Sequence, residues 1–340
     1  MKRALVLCPG RGSYGRDSLG KLKGVQSPAL DVFEAMRREL DRPTVREIDG
    51  AAEYSSTFHL MGEHASALTA GVSLADLDQL DPSTIQVVGV VGNSMGWYTA
   101  LGYAGALPMN HCALLVEAMG QYQADNIIGG QIMVPLVDEQ WRLDPRVAQA
   151  VEGIVEDTPD LFWSIHLGGH AVLGGTTTAL DLAEGRLKAL KLGQTQEPYR
   201  IPMHSAFHTP LMASTAAQAT TDLFELDWRA PRVPLIDGRG RVHTPHSANP
   251  AFLRDYTLGP QVTDTYDLSL CLRTALRTLG PDVVILPGPG SKLSSAVAQA
   301  MISEGWSGIH CQDDFVNRQH QEPVLLSMRW PDERAQVVAQ

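Results

Sequence analysis

The chain has 340 residues, enough for roughly two domains of ~150 residues, or for one large α/β domain with an insertion, and enough to bury a large core. Hydrophobic residues make up 44% and charged residues 19%, which is ordinary for a globular protein and wrong for a disordered one. Lysine and arginine number 27 against 38 aspartates and glutamates, and the net charge of −11 argues against nucleic acid as a partner.

The start, Met1-Lys2-Arg3, is basic, but the apolar run Ala4 to Cys8 stops at Pro9-Gly10. That is too short for a signal core and predicts a buried strand, so neither secretion nor a membrane span is expected. The four cysteines, Cys8, Cys112, Cys271 and Cys311, have no CxxC and no metal spacing, which points to a cytoplasmic protein without disulfides.

In chain order, Arg3 to Cys8 is the first expected strand, followed by a Gly-rich turn from Pro9 to Gly15. Ala29 to Leu40 carries Leu30, Val32, Phe33, Met36 and Leu40 at helical spacing. Thr44 to Ile48 is expected as a short strand, and Leu60 to Leu80 as a helix weakened by Gly71. Ile85 to Val91 is a β-branched apolar run, as a buried parallel strand should be. Two helices follow, Trp97 to Ala106 and Met109 to Ala124, joined at Leu107-Pro108. From Ile127 to about Tyr199 the order is strand, helix, strand, strand, helix, compatible with an inserted α+β unit of ferredoxin-like type. The main body resumes at Ile201, with strands at Pro234 to Ile236 and Val283 to Leu286 and a helix from Ser291 to Ile302. The end, from about Glu322, is expected to pack loosely.

Gly92-x-Ser94-x-Gly96 lies between a buried strand and a helix. A nucleophile on such a sharp turn needs flanking glycines, and the helix N-terminus aims backbone N–H groups at an oxyanion. A purely structural turn fits the same residues. Among eleven histidines, His208 stands out in Met203-His-Ser-Ala-Phe-His208-Thr-Pro-Leu-Met212, where the chain re-enters the main body. It is a candidate base, and a solvent-facing histidine fits equally. His204 and His208 form an HxxxH pair, but no third ligand stands at zinc spacing and no HExxH glutamate is present, so no metal is expected. Gly10-Arg-Gly12-Ser-Tyr-Gly15 matches a dinucleotide loop literally, yet Gly20, Gly24 and Pro28 interrupt the helix that fingerprint requires. The alternative is a loop leaning over Ser94 and supplying part of an oxyanion hole.

Together these segments resemble the malonyl-CoA:acyl-carrier-protein transacylase family, which includes polyketide synthase acyltransferase domains. Cys8-Pro-Gly-Arg-Gly-Ser13 resembles its FPGQGS, and Gly92 to Leu107 resembles GHSLGEYTAL…AGAL. Gly168 to Gly175 resembles PGQVVISG, and Ala206 to Met212 resembles AFHSPLM. Leu258 to Val262 resembles LxxQL, and Leu286 to Leu293 resembles EVGPGKVL. The resemblance implies an α/β fold: an α/β-hydrolase-like large domain with a parallel sheet (residues 1–126 and 200–340) and an inserted ferredoxin-like small subdomain (residues 127–199). It implies Ser94 as nucleophile, His208 as base oriented by the Gln261 main-chain carbonyl, and Met95 with Arg11 at the oxyanion hole. The reaction it implies moves an acyl group from acyl-CoA through a seryl ester to the phosphopantetheine thiol of an acyl carrier protein, with no bound cofactor. A monomer is expected. An editing acyl hydrolase would use the same Ser94 and His208.

The departures from the family pattern cluster at the same place. Met119-Gly120 stands where malonyl-type members have an Arg-Gly pair that binds the substrate carboxylate, so an uncharged acyl group is expected. Arg11 replaces a loop Gln and is read either as an oxyanion donor or as a carboxylate ligand from a new direction. Asn93, Trp97 and His166 replace the family's His, Glu and Asn and are expected to line the substrate pocket with Met119, with core filler as the alternative reading of Trp97. Arg186, Lys188 and Lys191 are candidates for a basic carrier-protein contact, or for a solvated helix face.

Overall fold

The computed structural model describes residues 1–190 and 197–339. The chain opens with strand β1 (Lys2–Cys8) and a glycine-rich loop, then helices α1 (Pro28–Glu39), α2 (Val45–Asp49), α3 (Ser56–His59) and α4 (Gly62–Leu77). Strand β2 (Ile85–Gly92) leads into α5 (Gly96–Tyr103) and α6 (Met109–Asp125). Next come β3 (Gly130–Pro135), α7 (Pro145–Glu156), β4 (Leu161–Leu167), β5 (His170–Gly175), α8 (Thr177–Ala189) and β6 (Tyr199–Ile201). After α9 (Ala213–Leu223) come β7 (Leu235–Ile236), β8 (Val242–His243), α10 (Pro250–Leu258), α11 (Pro260–Thr263) and β9 (Tyr266–Asp267). The chain closes with α12 (Leu268–Leu279), β10 (Val283–Leu286), α13 (Ser294–Glu304), α14 (Gln312–Gln321), β11 (Leu325–Ser327) and α15 (Pro331–Arg334).

The larger sheet has the order β11-β10-β1-β2-β7-β8 and is parallel except at the β7–β8 edge. β1 lies at its centre and is sealed from solvent from Ala4 to Cys8. Successive side chains of a strand point to opposite faces. Val6 and Cys8 therefore join a core with α1, α4, α5 and α6, while Leu5 and Leu7 join another with α12 and α13. Helices on both faces explain why β1 and β2 read as continuous apolar runs rather than as alternations.

The smaller sheet has the order β6-β3-β5-β4-β9, antiparallel apart from β4–β9. With α7 and α8 it forms its own apolar cluster, including Ile132, Val134, Val151, Leu173 and Leu187. β6 completes the β-α-β-β-α-β sequence of a ferredoxin-like unit. The fold is thus α/β, with a mainly parallel sheet and a second, smaller sheet. Among the described residues no helix is long and apolar enough to cross a membrane.

Two expectations need correction. Thr44 to Ile48 is not a strand. Thr44 caps α2 in a reciprocal box, with the Glu47 N–H donating to Thr44 Oγ1 at 3.2 Å and the Thr44 N–H donating to Glu47 Oε2 at 2.7 Å. The end of the chain is not loose either. β11 adds to the sheet beside β10, Leu326 and Val337 are fully buried, and Arg334 pairs with Asp76. Its apolar run is too short, and too closely flanked by charge, to announce a strand. Gly71 does not break α4; Leu30 and Val45 of the neighbouring helices press against it.

Candidate active site

The end of β2, the start of α5 and the loop ahead of α9 converge at one cavity of about 820 Å³. Ser94 sits between β2 and α5 with φ +53°, a left-handed conformation that costs a non-glycine residue energy and holds its side chain proud of the turn. The turn requires glycine on both sides, because a Cβ at Gly92 would run into Gly96 and a Cβ at Gly96 into the Cys8 carbonyl. The Tyr266 hydroxyl donates to the Gly92 carbonyl and pins the end of the strand.

His208 faces Ser94 from the loop before α9. It too has a positive φ, +62°, fixed by donation of its N–H to the Val262 carbonyl at 2.8 Å. Ser94 Oγ and His208 Nε2 are 2.7 Å apart, and His208 Nδ1 lies 2.6 Å from the Gln261 carbonyl oxygen. A carbonyl can only accept, so Nδ1 carries the proton and Nε2 is free to take the serine's. Burial pushes the His208 imidazole down to about 4, opposed by the bond to Gln261, so it is neutral at pH 7. The Gln261 side chain braces the pair: Nε2 donates to the Ser94 carbonyl at 3.1 Å, and Oε1 accepts from the Tyr98 hydroxyl at 2.8 Å. A serine hydroxyl against a neutral, oriented imidazole is an arrangement for nucleophilic attack.

Met95 caps the N-terminus of α5 without a side-chain hydrogen bond, and it lines the cavity. The loop after β1 lies against this turn. A Cβ at Gly10 would stand 2.7 Å from the Asn93 carbonyl oxygen, so the two segments touch backbone to backbone. Arg11 follows, and its Nη2 donates to the Leu60 carbonyl at 2.9 Å. Burial pushes its guanidinium down to about 10, which leaves it charged at neutral pH. Met119 on α6 and the buried Asn93 also line the cavity.

Two expected pocket residues are elsewhere. Trp97 is fully buried in the core, where Nε1 donates to Thr257 Oγ1 at 2.9 Å and the ring meets Tyr256 edge-on. One residue past Gly96, it points away from the cavity into the helix packing. His166 stacks on Trp163 with ring centroids 4.8 Å apart, while Ile165 and Leu167 face the cavity. The alternation of β4 turns His166 to the other side. On α8, Arg186 pairs with Asp157 and Lys188 with Glu184, which favours a solvated helix face. Lys191 lies outside the described residues.

Some contributors escape a reading of the sequence. His204 lines the cavity, its Nδ1 is 3.0 Å from the Pro202 carbonyl oxygen, and burial together with the nearby Arg11 charge pushes it down to about 3. Gln131 Nε2 donates to Ser164 Oγ at 2.7 Å, and Ser164 Oγ donates to the Phe207 carbonyl at 2.8 Å. That chain ties the loop carrying His208 to the smaller sheet. Only the HxxxH spacing pointed toward His204, and no motif marked the other two. Among the described residues no three His, Cys, Asp or Glu side chains cluster as metal ligands.

No family model matches the chain. The probable mitochondrial malonyl-CoA-acyl carrier protein transacylase of Drosophila melanogaster is 29% identical over 197 residues, which is 54% of this chain and 51% of the relative. A type I polyketide synthase of phenolphthiocerol synthesis from Mycobacterium marinum is 25% identical over 306 residues, 88% of this chain and 14% of the relative. The match thus spans about half the length of the first relative and a small part of the second. The structure of the malonyl CoA-acyl carrier protein transacylase of Coxiella burnetii superposes with a TM-score of 0.76 at 18% identity, covering 98% of this chain and 96% of the other. The chain's sequence relatives and its structural neighbours are malonyl-CoA:acyl-carrier-protein transacylases and polyketide synthase acyltransferase domains, the family that its motifs resemble and whose fold it shares.

Proposed function

We propose that the chain is an acyltransferase that carries an acyl group from an acyl-CoA thioester, through an ester on Ser94, to the phosphopantetheine thiol of an acyl carrier protein. The observation that carries this is the relay from Ser94 Oγ to His208 Nε2 and from His208 Nδ1 to the Gln261 carbonyl, at 2.7 and 2.6 Å, opening into a cavity large enough for a thioester arm.

In the first half-reaction Ser94 Oγ attacks the thioester carbonyl carbon and His208 Nε2 takes the hydroxyl proton. The main-chain N–H groups of Met95 and Arg11 receive the oxyanion, each worth ~3 kcal/mol in the transition state. The intermediate collapses with loss of the CoA thiolate, which takes the proton from His208. The second half runs in reverse. His208 removes the proton from the carrier thiol, the thiolate attacks the seryl ester, and Ser94 leaves with that proton. Every proton passes through Nε2, so neither a cofactor nor a metal is called for.

The same reading takes residues 1–126 with 200–340 as the catalytic body and 127–199 as the small subdomain closing the cavity, with β6 carrying the smaller sheet on to Ile201, two residues past that boundary. It places a monomer in the cytoplasm with an acyl carrier protein as partner. Met119 makes the α6 wall apolar, which suits the hydrocarbon part of the acyl group.

Intact mass after brief mixing with a panel of acyl-CoAs, followed by a carrier protein, tests the proposal. An acyl adduct absent in Ser94→Ala and passed to the carrier is expected. Rapid loss of the adduct to water without transfer would give the chain to the editing hydrolases, and no adduct from any donor would refute both.

A further inference from the structure

Acyl transfer through Ser94 uses the main chain of Arg11 and leaves its guanidinium without a task. That guanidinium is held in place. Gly12 carries φ +84°, and Lys292 Nζ donates to the Gly12 carbonyl at 2.9 Å, so the backbone around Arg11 is fixed. The side chain crosses the cavity wall to the Leu60 carbonyl. Its Nε and Nη1 are buried and have no hydrogen-bond partner in the protein. Among the described residues no carboxylate pairs with it.

The place it reaches is informative. Leu60 lies two residues before α4 begins at Gly62, and a Cβ at Gly62 would stand 2.5 Å from the Gly120 carbonyl oxygen. Gly120 is the residue after Met119. The segment that holds the guanidinium therefore packs against the α6 wall at the position where the family resemblance leads one to look for a cation and the chain has methionine. The acids lining the cavity are Asp138 and Glu139, in the loop after β3, and Asp138 already accepts from the backbone N–H groups of Gln140 and Arg142. The basic neighbours of Arg11 are His204 and Lys292. A buried guanidinium with open donors is costly unless an anion meets it, and its planar fork matches a carboxylate.

We propose that Arg11 determines acyl specificity: its guanidinium receives a carboxylate at the far end of the acyl group, from the loop after β1 rather than from α6, while Met119 packs on the intervening carbon. The donor class is then the half-thioester of a dicarboxylic acid, which reverses the expectation drawn from Met119 alone. This assignment rests on the acyltransfer reading of Ser94.

The test compares rates of Ser94 ester formation, read by intact mass, in the full chain and in Arg11→Gln and Arg11→Lys. The donors are malonyl- and acetyl-CoA and the malonyl and acetyl thioesters of N-acetylcysteamine, which lack the CoA phosphates. The wild type is expected to prefer malonyl with both carriers. Losing two charged hydrogen bonds predicts that the malonyl-to-acetyl ratio of kcat/KM falls about 100-fold in Arg11→Gln and by less in Arg11→Lys. An unchanged ratio, with both acyl groups slowed alike, would give the guanidinium to the oxyanion and overturn the proposal. Equal slowing of both CoA donors, with the N-acetylcysteamine thioesters spared, would give it to a phosphate and overturn it too. A wild type that takes acetyl as readily as malonyl overturns it without any variant, while leaving the transferase intact. A wild type that takes no donor overturns the transferase and the assignment together.

Discussion

Lowering the pH from 7 toward 4 should leave acylation of Ser94 nearly constant until well below the range where an ordinary histidine protonates. In the proposed mechanism His208 is the base, and burial holds its imidazole near 4 against an ordinary value of 6.5. Only 1% of His208 is exposed, so little solvent screening softens that effect. The same displacement appears in stability. The folded value lies below the unfolded one, so its contribution is fully present above pH 6.5, declines as the unfolded chain takes up the proton, and is gone once the pH has passed through 4. At 1.36 kcal/mol per pH unit the loss from this one residue is about 3 kcal/mol. The assay is the rate of adduct formation under kcat/KM conditions from pH 4 to 8, with chemical denaturation at the same pH values for the wild type and His208→Gln. The rate should fall to half below pH 5, and the variant should lose part of the stability slope between pH 6.5 and 4. A midpoint between 6 and 7, or identical slopes in the two proteins, would refute the account of a buried, neutral base.

Gln261→Ala keeps the main-chain carbonyl that orients His208 and removes only the bracing amide. It should cost about tenfold in kcat, far less than the ~10⁴-fold expected for His208→Ala, and steady-state turnover would show equal losses if the side chain were the true orienting group. Gly96→Ala drives a Cβ into the Cys8 carbonyl and should lower stability by at least about 2 kcal/mol, read as a lower denaturant midpoint. Arg37 and Glu117 form a buried pair, 2.7 Å apart, that joins α1 to the helix bearing Met119. Arg37→Met leaves Glu117 with Arg42 alone and should cost about 3 kcal/mol by the same measurement.

The strand–elbow–helix around Ser94 was legible because each of its parts has a local cause: an apolar β-branched run, two glycines that steric contact demands, and a helix behind them. His208 was legible as a candidate, from its place where the chain re-enters the main body and from the AFHSPLM resemblance, but its contact with Ser94 was not, because the two lie 114 residues apart and no local pattern encodes that distance. Trp97 and His166 show the complementary failure. Each sits one residue from a cavity-lining position, and a helix turn or a strand alternation sends its side chain the other way. Position in a motif does not settle which face a side chain takes. At Thr44 the β-branched residues suggested a strand, but the Thr44–Glu47 capping box decided the structure. Gln131 and Ser164 carried no signal, since a polar residue inside a strand reads the same whether it faces water or ties down a distant loop.

In the proposed mechanism, a main-chain carbonyl rather than an acid stands behind His208 among the described residues, and this bears on the chemistry that the site can perform. A carboxylate would offset the charge of the imidazolium formed when Ser94 attacks; the Gln261 carbonyl offers only a dipole, in a buried setting that already favours the neutral ring. The imidazolium is therefore short-lived and must pass its proton on quickly. A departing thiolate, whose acid has a pKa near ~8.5, needs little help from that proton. A departing amine cannot leave without it. The pair is thus matched to thioesters rather than amides, and N-acetylcysteamine thioesters should acylate Ser94 where the corresponding amides leave no adduct. Appearance of the same ester from an amide would show that the imidazolium is better stabilised than a single carbonyl allows.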